Sequence, residues 1–167
     1  DNPYPLTSNH IYTILIDNEN MAWIGSTKVG VAYTNLNNYS ITSVATPFNE
    51  DIGFLCQDAM GKLWIGYDGN GLYCETTGKL YQAGNSMLKN NLVIGGRIAG
   101  DRNIYLGTYG GGIYQLTTDA QIRPIWQEHA QLKYARRVIE DKKGNFWIGG
   151  VMSGLCCVTP QGKFRNY

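Results

Sequence analysis

A fourfold internal repeat constrains the fold of this chain more than any other feature of its sequence. The repeat is built on an aromatic residue followed by an aliphatic residue and glycine, and its aromatic positions lie 41, 41 and 42 residues apart. These positions are Trp23, Trp64, Tyr105 and Trp147. A second glycine stands five residues after each triplet glycine and precedes an apolar residue, at Gly30, Gly71, Gly112 and Gly154. Several fixed points at a nearly constant spacing indicate an architecture of stacked repeats.

The local sequence patterns within each repeat favour strands over helices. Short runs rich in β-branched and aromatic residues, such as 11–16 and 63–65, are bounded by turn-forming clusters at 17–20 and 58–61. Glycine makes up 21 of 167 residues, about twice its usual share, which suits a chain with many tight turns. Residues 127–139 could be read as helical, but the register of the repeat predicts a strand for their second half.

Each repeat therefore has the length and strand content of one β-propeller blade. We predict an all-β fold, a single β-propeller segment over residues 1–167 built of four four-stranded blades. The predicted blades comprise residues 9–48, 49–89, 90–131 and 132–167. An open set of four blades would leave two broad apolar faces uncovered, so we expect a partial ring or half of a paired ring. The alternative is a closed four-bladed propeller.

The second and fourth repeats carry a recognisable motif. Residues 58–66 read Asp-x-x-Gly-x-Leu-Trp-Ile-Gly and are followed by Gly-Leu-Tyr at 71–73, while residues 141–149 follow the same scheme. This motif resembles the two-component regulator propeller repeat. The first repeat has Asn20 where the motif has its turn glycine. The third repeat departs furthest, with Ala99, Arg102 and Tyr105 in place of aspartate, glycine and tryptophan.

The resemblance implies a place in bacterial signalling. Repeats of that family form the extracytoplasmic sensors of membrane receptors, often hybrid histidine kinases, and such sensors carry more repeats than four. A further β-sandwich module, a membrane span and signalling domains follow them. Their ligands are thought to be carbohydrates. The chain begins at Asp1 without methionine, which suggests an excised segment of a longer protein.

Composition and cysteine spacing argue against several other classes of protein. The net charge of +1 gives no electrostatic footprint for nucleic acid or for an anionic membrane. The apolar runs are too short for this segment to insert into a bilayer. The four cysteines lack the spacing of metal ligands, so we expect buried free thiols, no metal site and no cofactor. They are Cys56, Cys74, Cys156 and Cys157.

The acidic and histidine residues do not form a catalytic pattern. Asp17, Asp58 and Asp141 occupy one repeat position at the start of a turn, where a carboxylate binds backbone N–H groups. Glycoside hydrolysis would need two carboxylates flanking one sugar bond, and these three are spread over separate blades. His10 and His129 lack partners at triad or metal spacing. We therefore expect no enzymatic activity.

Ligand contacts are predicted on the loops that follow the aromatic strand and at the start of each inner strand. Loops on one face of a ring converge on its axis, and binding residues are commonly carried by loops on a rigid scaffold. Tyrosine, arginine, aspartate and asparagine can stack on sugars or hydrogen-bond to them. The predicted residues are Lys28, Tyr67, Asp68, Asn70, Tyr109, Arg97, Arg136, Arg137 and the off-repeat Trp126.

Together with the resemblance, these observations predict a non-catalytic, periplasmic ligand-sensing propeller of a two-component receptor that recognises a carbohydrate. Its partners would be a glycan or another small ligand, and either a second copy of the chain or the missing blades of a larger ring. One alternative is a protein–protein interaction propeller without a small ligand. A third possibility is a propeller-fold lyase or hydrolase.

Overall fold

The structure, a computed structural model, describes residues 6, 8–37 and 40–167, so residues 1–5, 7, 38 and 39 of the predicted segment lie outside it. Within the described residues, the chain forms four antiparallel sheets of four strands each, and neighbouring strands in every sheet are consecutive in the chain. This arrangement confirms the predicted all-β fold of four propeller blades.

The strand bounds follow the repeat. The first sheet contains β1 (Ile11–Ile16), β2 (Met21–Ser26), β3 (Gly30–Asn35) and β4 (Ile41–Val44). The second contains β5 (Ile52–Gln57), β6 (Leu63–Tyr67), β7 (Gly71–Cys74) and β8 (Lys79–Tyr81). The third contains β9 (Val93–Ile98), β10 (Ile104–Thr108), β11 (Gly112–Leu116) and β12 (Ile122–Ile125). The fourth contains β13 (Ala135–Glu140), β14 (Phe146–Gly150), β15 (Gly154–Val158) and β16 (Phe164–Asn166). Single 3₁₀ turns lie at Glu75–Thr77 and Ala130–Lys133.

An aspartate ties the first turn of three blades to the aromatic residue of the next strand. In the first blade, Oδ1 of Asp17 accepts the backbone N–H groups of Glu19 and Met21, each at 2.9 Å. Its Oδ2 accepts the indole N–H of Trp23 at 2.7 Å. The same indole bonds, at 2.9 Å, join Trp64 to Asp58 and Trp147 to Asp141. The predicted turn role of these aspartates therefore extends to fixing the core tryptophan.

The third blade replaces this bond with an equivalent one. Asp101 stands two positions later in the turn, and its Oδ2 accepts the hydroxyl of Tyr105 at 2.9 Å. Because a phenol reaches further than an indole N–H, the shifted carboxylate still meets the aromatic residue of β10. Burial, together with this hydrogen bond to Asp101, raises the pKa of Tyr105 to about 12.

The aromatic residue of each blade packs against the following blade. Trp23 contacts the core between the first two sheets, where Ile52, Ile65 and Tyr67 are fully buried. Trp64 lies in the core between the second and third sheets, and Tyr105 in the core between the third and fourth. Trp147 has no such cover, because the described residues form no fifth sheet beside the fourth.

The inner strands pack in sequence and form an open arc. Among the described residues, close packing joins β1 to β5, β5 to β9 and β9 to β13, and no comparable packing returns from β13 to β1. Two glycines allow the backbones to approach. A Cβ on Gly53 would lie 2.7 Å from the Cα of Ile94, and one on Gly95 would lie 1.9 Å from the carbonyl oxygen of Arg136. The closed four-bladed ring, our alternative, is therefore not the arrangement observed.

Candidate binding cavity between the inner strands

Every inner strand carries a β-bulge at the same repeat position. In the first blade, Ile11 pairs with Ser26 and Thr13 pairs with Gly25, so Tyr12 between them has no partner in the ladder. The corresponding residue, eleven positions before the repeat aromatic, is also skipped in the other three blades. The four bulge residues are Tyr12, Gly53, Ile94 and Arg136. Bulges re-aim side chains and occur frequently beside functional sites.

The four bulge residues line one cavity, which we call the axial cavity. Its volume is about 350 Å³, and Asp51, Ile52, Asp68 and Arg137 complete its lining. The repeat places an aromatic, a glycine, an aliphatic and a cationic residue at these equivalent positions. Gly53 contributes only backbone to the lining, because the backbone of β9 occupies the position that a Cβ would take, and Ile52 and Ile94 are largely buried. The volume lies within the range of small-molecule sites.

One side of the axial cavity is cationic. Arg136 and Arg137 of β13 are both exposed to solvent. A guanidinium nitrogen of Arg137 donates to the carbonyl oxygen of Ile94 at 2.9 Å, which fixes that side chain across the cleft to β9. Within the described part of the chain, no carboxylate lies within 4.0 Å of either guanidinium group. Both arginines therefore have hydrogen-bond donors available to a ligand.

Two acidic residues, Asp51 and Asp68 of the second blade, also line the axial cavity. The backbone N–H of Lys28 donates to Oδ1 of Asp51 at 3.1 Å, and the backbone N–H of Asp68 donates to the carbonyl oxygen of Asp51 at 3.0 Å. These bonds hold the two acidic residues at one rim of the axial cavity, at the ends of β5 and β6. Their carboxylates can accept hydrogen bonds from hydroxyl groups. The exposed ring of Tyr12, on the neighbouring blade, offers a flat apolar surface.

Three of the predicted ligand residues, Asp68, Arg136 and Arg137, lie together in the axial cavity. Lys28 is not among the lining residues, but its backbone N–H donates to Asp51, and its ligand role stays a prediction. Arg97 is exposed on β9 but does not line the axial cavity. Its ligand role stays a prediction.

Tyr67, Tyr109 and Asn70 make contacts within the fold, and their ligand roles stay predictions. Tyr67 is fully buried between the first two blades, edge-on to Phe48 at 5.4 Å between ring centroids, and burial raises the pKa of its hydroxyl. Tyr109 packs on Tyr134 at 4.9 Å, and the carbonyl oxygen of Asn70 accepts a side-chain bond from Gln82.

Trp126 lies away from the axial cavity. Its ring stacks on Tyr105 at 5.8 Å and borders a smaller cavity of about 160 Å³ that Lys89, Gln127 and His129 also line. The stacking on Tyr105 places much of the indole in the core between the third and fourth blades. Its predicted role in sugar stacking stays untested.

Sequence reasoning missed Tyr12 and Asp51. Tyr12 precedes Trp23 by the same eleven residues that separate Arg136 from Trp147, so the repeat offered a signal for it. Asp51 has no equivalent among the repeat aspartates and could be found only through the fold.

The four cysteines are buried as free thiols, and burial raises the pKa of Cys56 to about 11. Within the described residues, no group of three or more histidine, cysteine or acidic side chains is arranged to hold a metal ion. In that same part of the chain, no helix has the length and apolar character needed to cross a bilayer.

Comparison with known proteins supports the resemblance and the fold. The family model of the two-component regulator propeller matches residues 5–28, which include β1, β2 and the turn between them. No curated protein matches the chain by sequence. The extracellular domain of a B. thetaiotaomicron protein described as a hybrid two component system is 23% identical, with a TM-score of 0.82 over 98% of this chain.

Two further solved structures show the same blade arrangement. An extracellular domain described as part of a one component system from B. thetaiotaomicron is 17% identical, with a TM-score of 0.79 over 100% of this chain. Virginiamycin B lyase from Staphylococcus aureus is 17% identical, with a TM-score of 0.72 over 95% of this chain. The chain spans 24% and 25% of the two extracellular domains and 55% of the lyase. The resemblance to the two-component regulator propeller repeat is thus confirmed in the first blade, and the chain has the fold of a β-propeller segment.

Proposed function

We propose that this chain is a non-catalytic, ligand-sensing part of an extracytoplasmic, periplasmic propeller of a two-component receptor, and that its axial cavity binds a carbohydrate. One observation carries the proposal. The bulges of four consecutive inner strands converge on a cavity of sugar size that combines an exposed tyrosine ring, two arginines and two acidic residues.

The chemistry of the axial cavity suits a sugar. A sugar ring has an apolar face that can stack on Tyr12, and its hydroxyl groups can donate to Asp51 and Asp68. The guanidinium groups of Arg136 and Arg137 can donate to ring or hydroxyl oxygens. Because the inner strands pack tightly at Gly53 and Gly95, the cavity is formed before a ligand arrives. Preformed sites of this kind lose little conformational freedom on binding.

The comparisons support the proposed setting. Two solved relatives by fold are described as extracellular domains of a hybrid two component system and a one component system. Since the chain spans about a quarter of each, we infer that it works as one arc of a larger sensor. In that setting, ligand binding between inner strands of adjacent blades would alter their spacing and reach the domains that follow.

The proposal is tested by isothermal calorimetry of the full chain against a panel of neutral and acidic trisaccharides. We expect at least one to bind, and we expect Tyr12→Ala to weaken that binding about tenfold, which corresponds to about 1.4 kcal/mol. Tyr167→Ala is the matched control, because Tyr167 is similarly exposed but lies at the far end of the fourth blade. Binding by none of the panel, or equal losses in both variants, would contradict the proposal.

A second candidate is an assembly propeller that uses its blade faces and binds no small ligand. The observation in its favour is the exposure of Ile14 and Ile16 on the first blade and of Ile139 and Leu155 on the fourth. It predicts that the chain associates with a second copy, or with further blades of a larger ring, while the axial cavity stays empty in every binding experiment.

Catalysis is the third candidate, and the axial cavity favours it least. A fold relative, virginiamycin B lyase, is described as catalytically inactive when one histidine is changed to alanine. Here the axial cavity is lined by no histidine of the described residues, and His129 borders the smaller cavity instead.

A further inference from the structure

We propose that the axial cavity selects an anionic saccharide, one that carries a carboxylate or a sulfate, and that Arg136 and Arg137 form its anion-binding pair. This inference rests on the proposed function, because it names the class of sugar bound at the same site. The anionic group is placed against β13, and the neutral hydroxyl groups face the acidic rim formed by Asp51 and Asp68.

The β-bulge in β13 allows two consecutive arginines to line the same cavity. Side chains of successive residues in a regular strand point to opposite faces of the sheet. In β13, Ala135 pairs with Gly150 and Arg137 pairs with Gly149, so Arg136 is the extra residue that interrupts the alternation. Both arginines then line the axial cavity, and neither belongs to the core between the third and fourth blades.

The arginine pair has no internal counter-ion. Within residues 6, 8–37 and 40–167, no acidic side chain lies within 4.0 Å of Arg136 or Arg137, although Asp51 and Asp68 also line the axial cavity. Arg137 is held by its bond to the carbonyl of Ile94, so its position is fixed before a ligand binds. Two adjacent guanidinium groups in a partly enclosed cavity favour a ligand that supplies the missing negative charge.

The acidic rim determines the orientation of the ligand. A carboxylate or sulfate at that rim would be repelled by Asp51 and Asp68, whereas sugar hydroxyl groups can donate to them. A saccharide with its charge at one edge and hydroxyl groups at the other matches both sides at once. A neutral saccharide satisfies only the acidic rim and leaves the arginine charges without a partner.

The test compares oligosaccharides that differ in charge alone. Calorimetry of the full chain would use trigalacturonate, triglucuronate and trimannuronate, the methyl ester of each, and a sulfated and an unsulfated neutral trisaccharide. We expect the best ligand to be anionic and its neutral counterpart to bind at least about tenfold more weakly. Raising the salt concentration from 50 to 500 mM should lower the affinity for the anionic ligand, because the charges are screened. The affinity for the ester should stay almost unchanged.

Arg136→Gln provides the site-specific arm. This substitution should lower the affinity for the anionic ligand about tenfold or more. The affinity for the neutral ester should stay within about twofold of the wild-type value. Arg165→Gln removes the same charge from the outer strand of the same blade and should match the wild type. Comparing the affinities for the uronates and for the sulfated trisaccharide shows whether the site recognises a carboxylate or a sulfate.

The outcomes separate this inference from the proposed function. If Tyr12→Ala weakens binding as expected but the ester binds as tightly as the acid, or if Arg136→Gln retains the wild-type affinity for the acid, the cavity binds sugars without anion selection and the inference is overturned. If no saccharide binds, the proposed function itself fails. Tight binding of an amino acid such as glutamate, with no binding of any sugar, would also contradict the proposed function.

Discussion

At the scale of single residues, the carboxylates of the first turn decide how each blade is held together. Hydrogen bonds from the Trp147 indole, the Asn145 side chain and backbone N–H groups lower the pKa of Asp141. Burial opposes ionisation of Asp17 and Asp101, but the hydrogen bonds that they accept outweigh it and lower both pKa values. These aspartates are therefore structural, and their ionised form is the one that the fold requires.

Acid should destabilise the chain through these carboxylates. Because the pKa of Asp141 is lower in the folded chain than in the unfolded chain, ionised Asp141 contributes stability in full above about pH 4. As the pH falls below that value, the unfolded chain binds the proton first and the contribution is lost. Urea denaturation at pH 6 and pH 3 should show a smaller pH dependence for Asp141→Asn and for Trp147→Phe than for the wild type. An unchanged dependence in both variants would contradict this role.

Arg102 occupies a strained backbone position. The third residue before each repeat aromatic adopts a left-handed φ, which is +82° at Gly61 and +67° at Arg102. A side chain in this region costs about 1 kcal/mol, which glycine avoids. Arg102→Gly should therefore raise the free energy of unfolding by about 0.5–1 kcal/mol in urea denaturation. The reciprocal Gly61→Ala, whose Cβ would meet no close neighbour, should lower it by a similar amount.

At the scale of elements, the inner strands combine close packing with a bulge. Gly53 lies in the bulge of β5, where the backbone of β9 leaves no space for a side chain. At this position the lining of the axial cavity is therefore backbone alone.

Gly53→Ala should destabilise the chain by about 1–3 kcal/mol, the usual result of overpacking, because the new Cβ would approach the Ile94 Cα to 2.7 Å. Gly84→Ala is the matched control, since a Cβ there meets nothing within 4 Å. Urea denaturation of the two variants checks the prediction. Equal stabilities would show that the inner strands are able to move apart.

The repeat predicted the elements well but not the bulges. Strand content, turn positions and blade number follow from hydrophobic patterning and from turn residues, both of which are local in sequence. The bulge at Tyr12 depends on which hydrogen bonds β1 makes with β2, and the sequence between Ile11 and Thr13 has no residue that demands it. Asp51 was missed for a related reason, because its neighbours Lys28 and Asp68 are brought to it by the packing of blades.

The packing positions of Trp126 and Tyr67 could not be predicted from the sequence. An aromatic residue outside the repeat, or in a loop after the repeat strand, suggests a binding surface. The structure places the first against Tyr105 and the second in the core between the first two blades. Burial of an aromatic side chain depends on its neighbours in space, which the sequence of one blade does not reveal.

At the scale of the whole molecule, the two ends of the arc are complementary. The first blade exposes Ile14 and Ile16 on β1, while the fourth exposes Ile139 and Leu155 beside Trp147. In the internal interfaces, the aromatic face of one blade meets the aliphatic face of the next. The terminal faces therefore have the composition of an interface that lacks its partner.

We expect the isolated chain to associate through these faces. Light scattering after size-exclusion chromatography should give a mass above that of the monomer, increasing with concentration. Leu155→Lys and Ile14→Lys should each lower the measured mass, because each places a charge in the interface. Ile16→Lys should act like Ile14→Lys, whereas Met60→Lys, on an exposed turn, should have no effect. A monomer at all concentrations would rule out pairing and leave further blades of a longer chain as the cover for these faces.

Nuclear magnetic resonance can locate a saccharide bound in the axial cavity. The ¹H–¹⁵N spectrum of the full chain would be titrated with the tightest-binding trisaccharide. We expect the chemical-shift changes to be concentrated at the residues that line the cavity, Tyr12, Asp51, Asp68, Arg136 and Arg137. Shifts confined to the terminal blade faces, or to the smaller cavity beside Trp126, would contradict it.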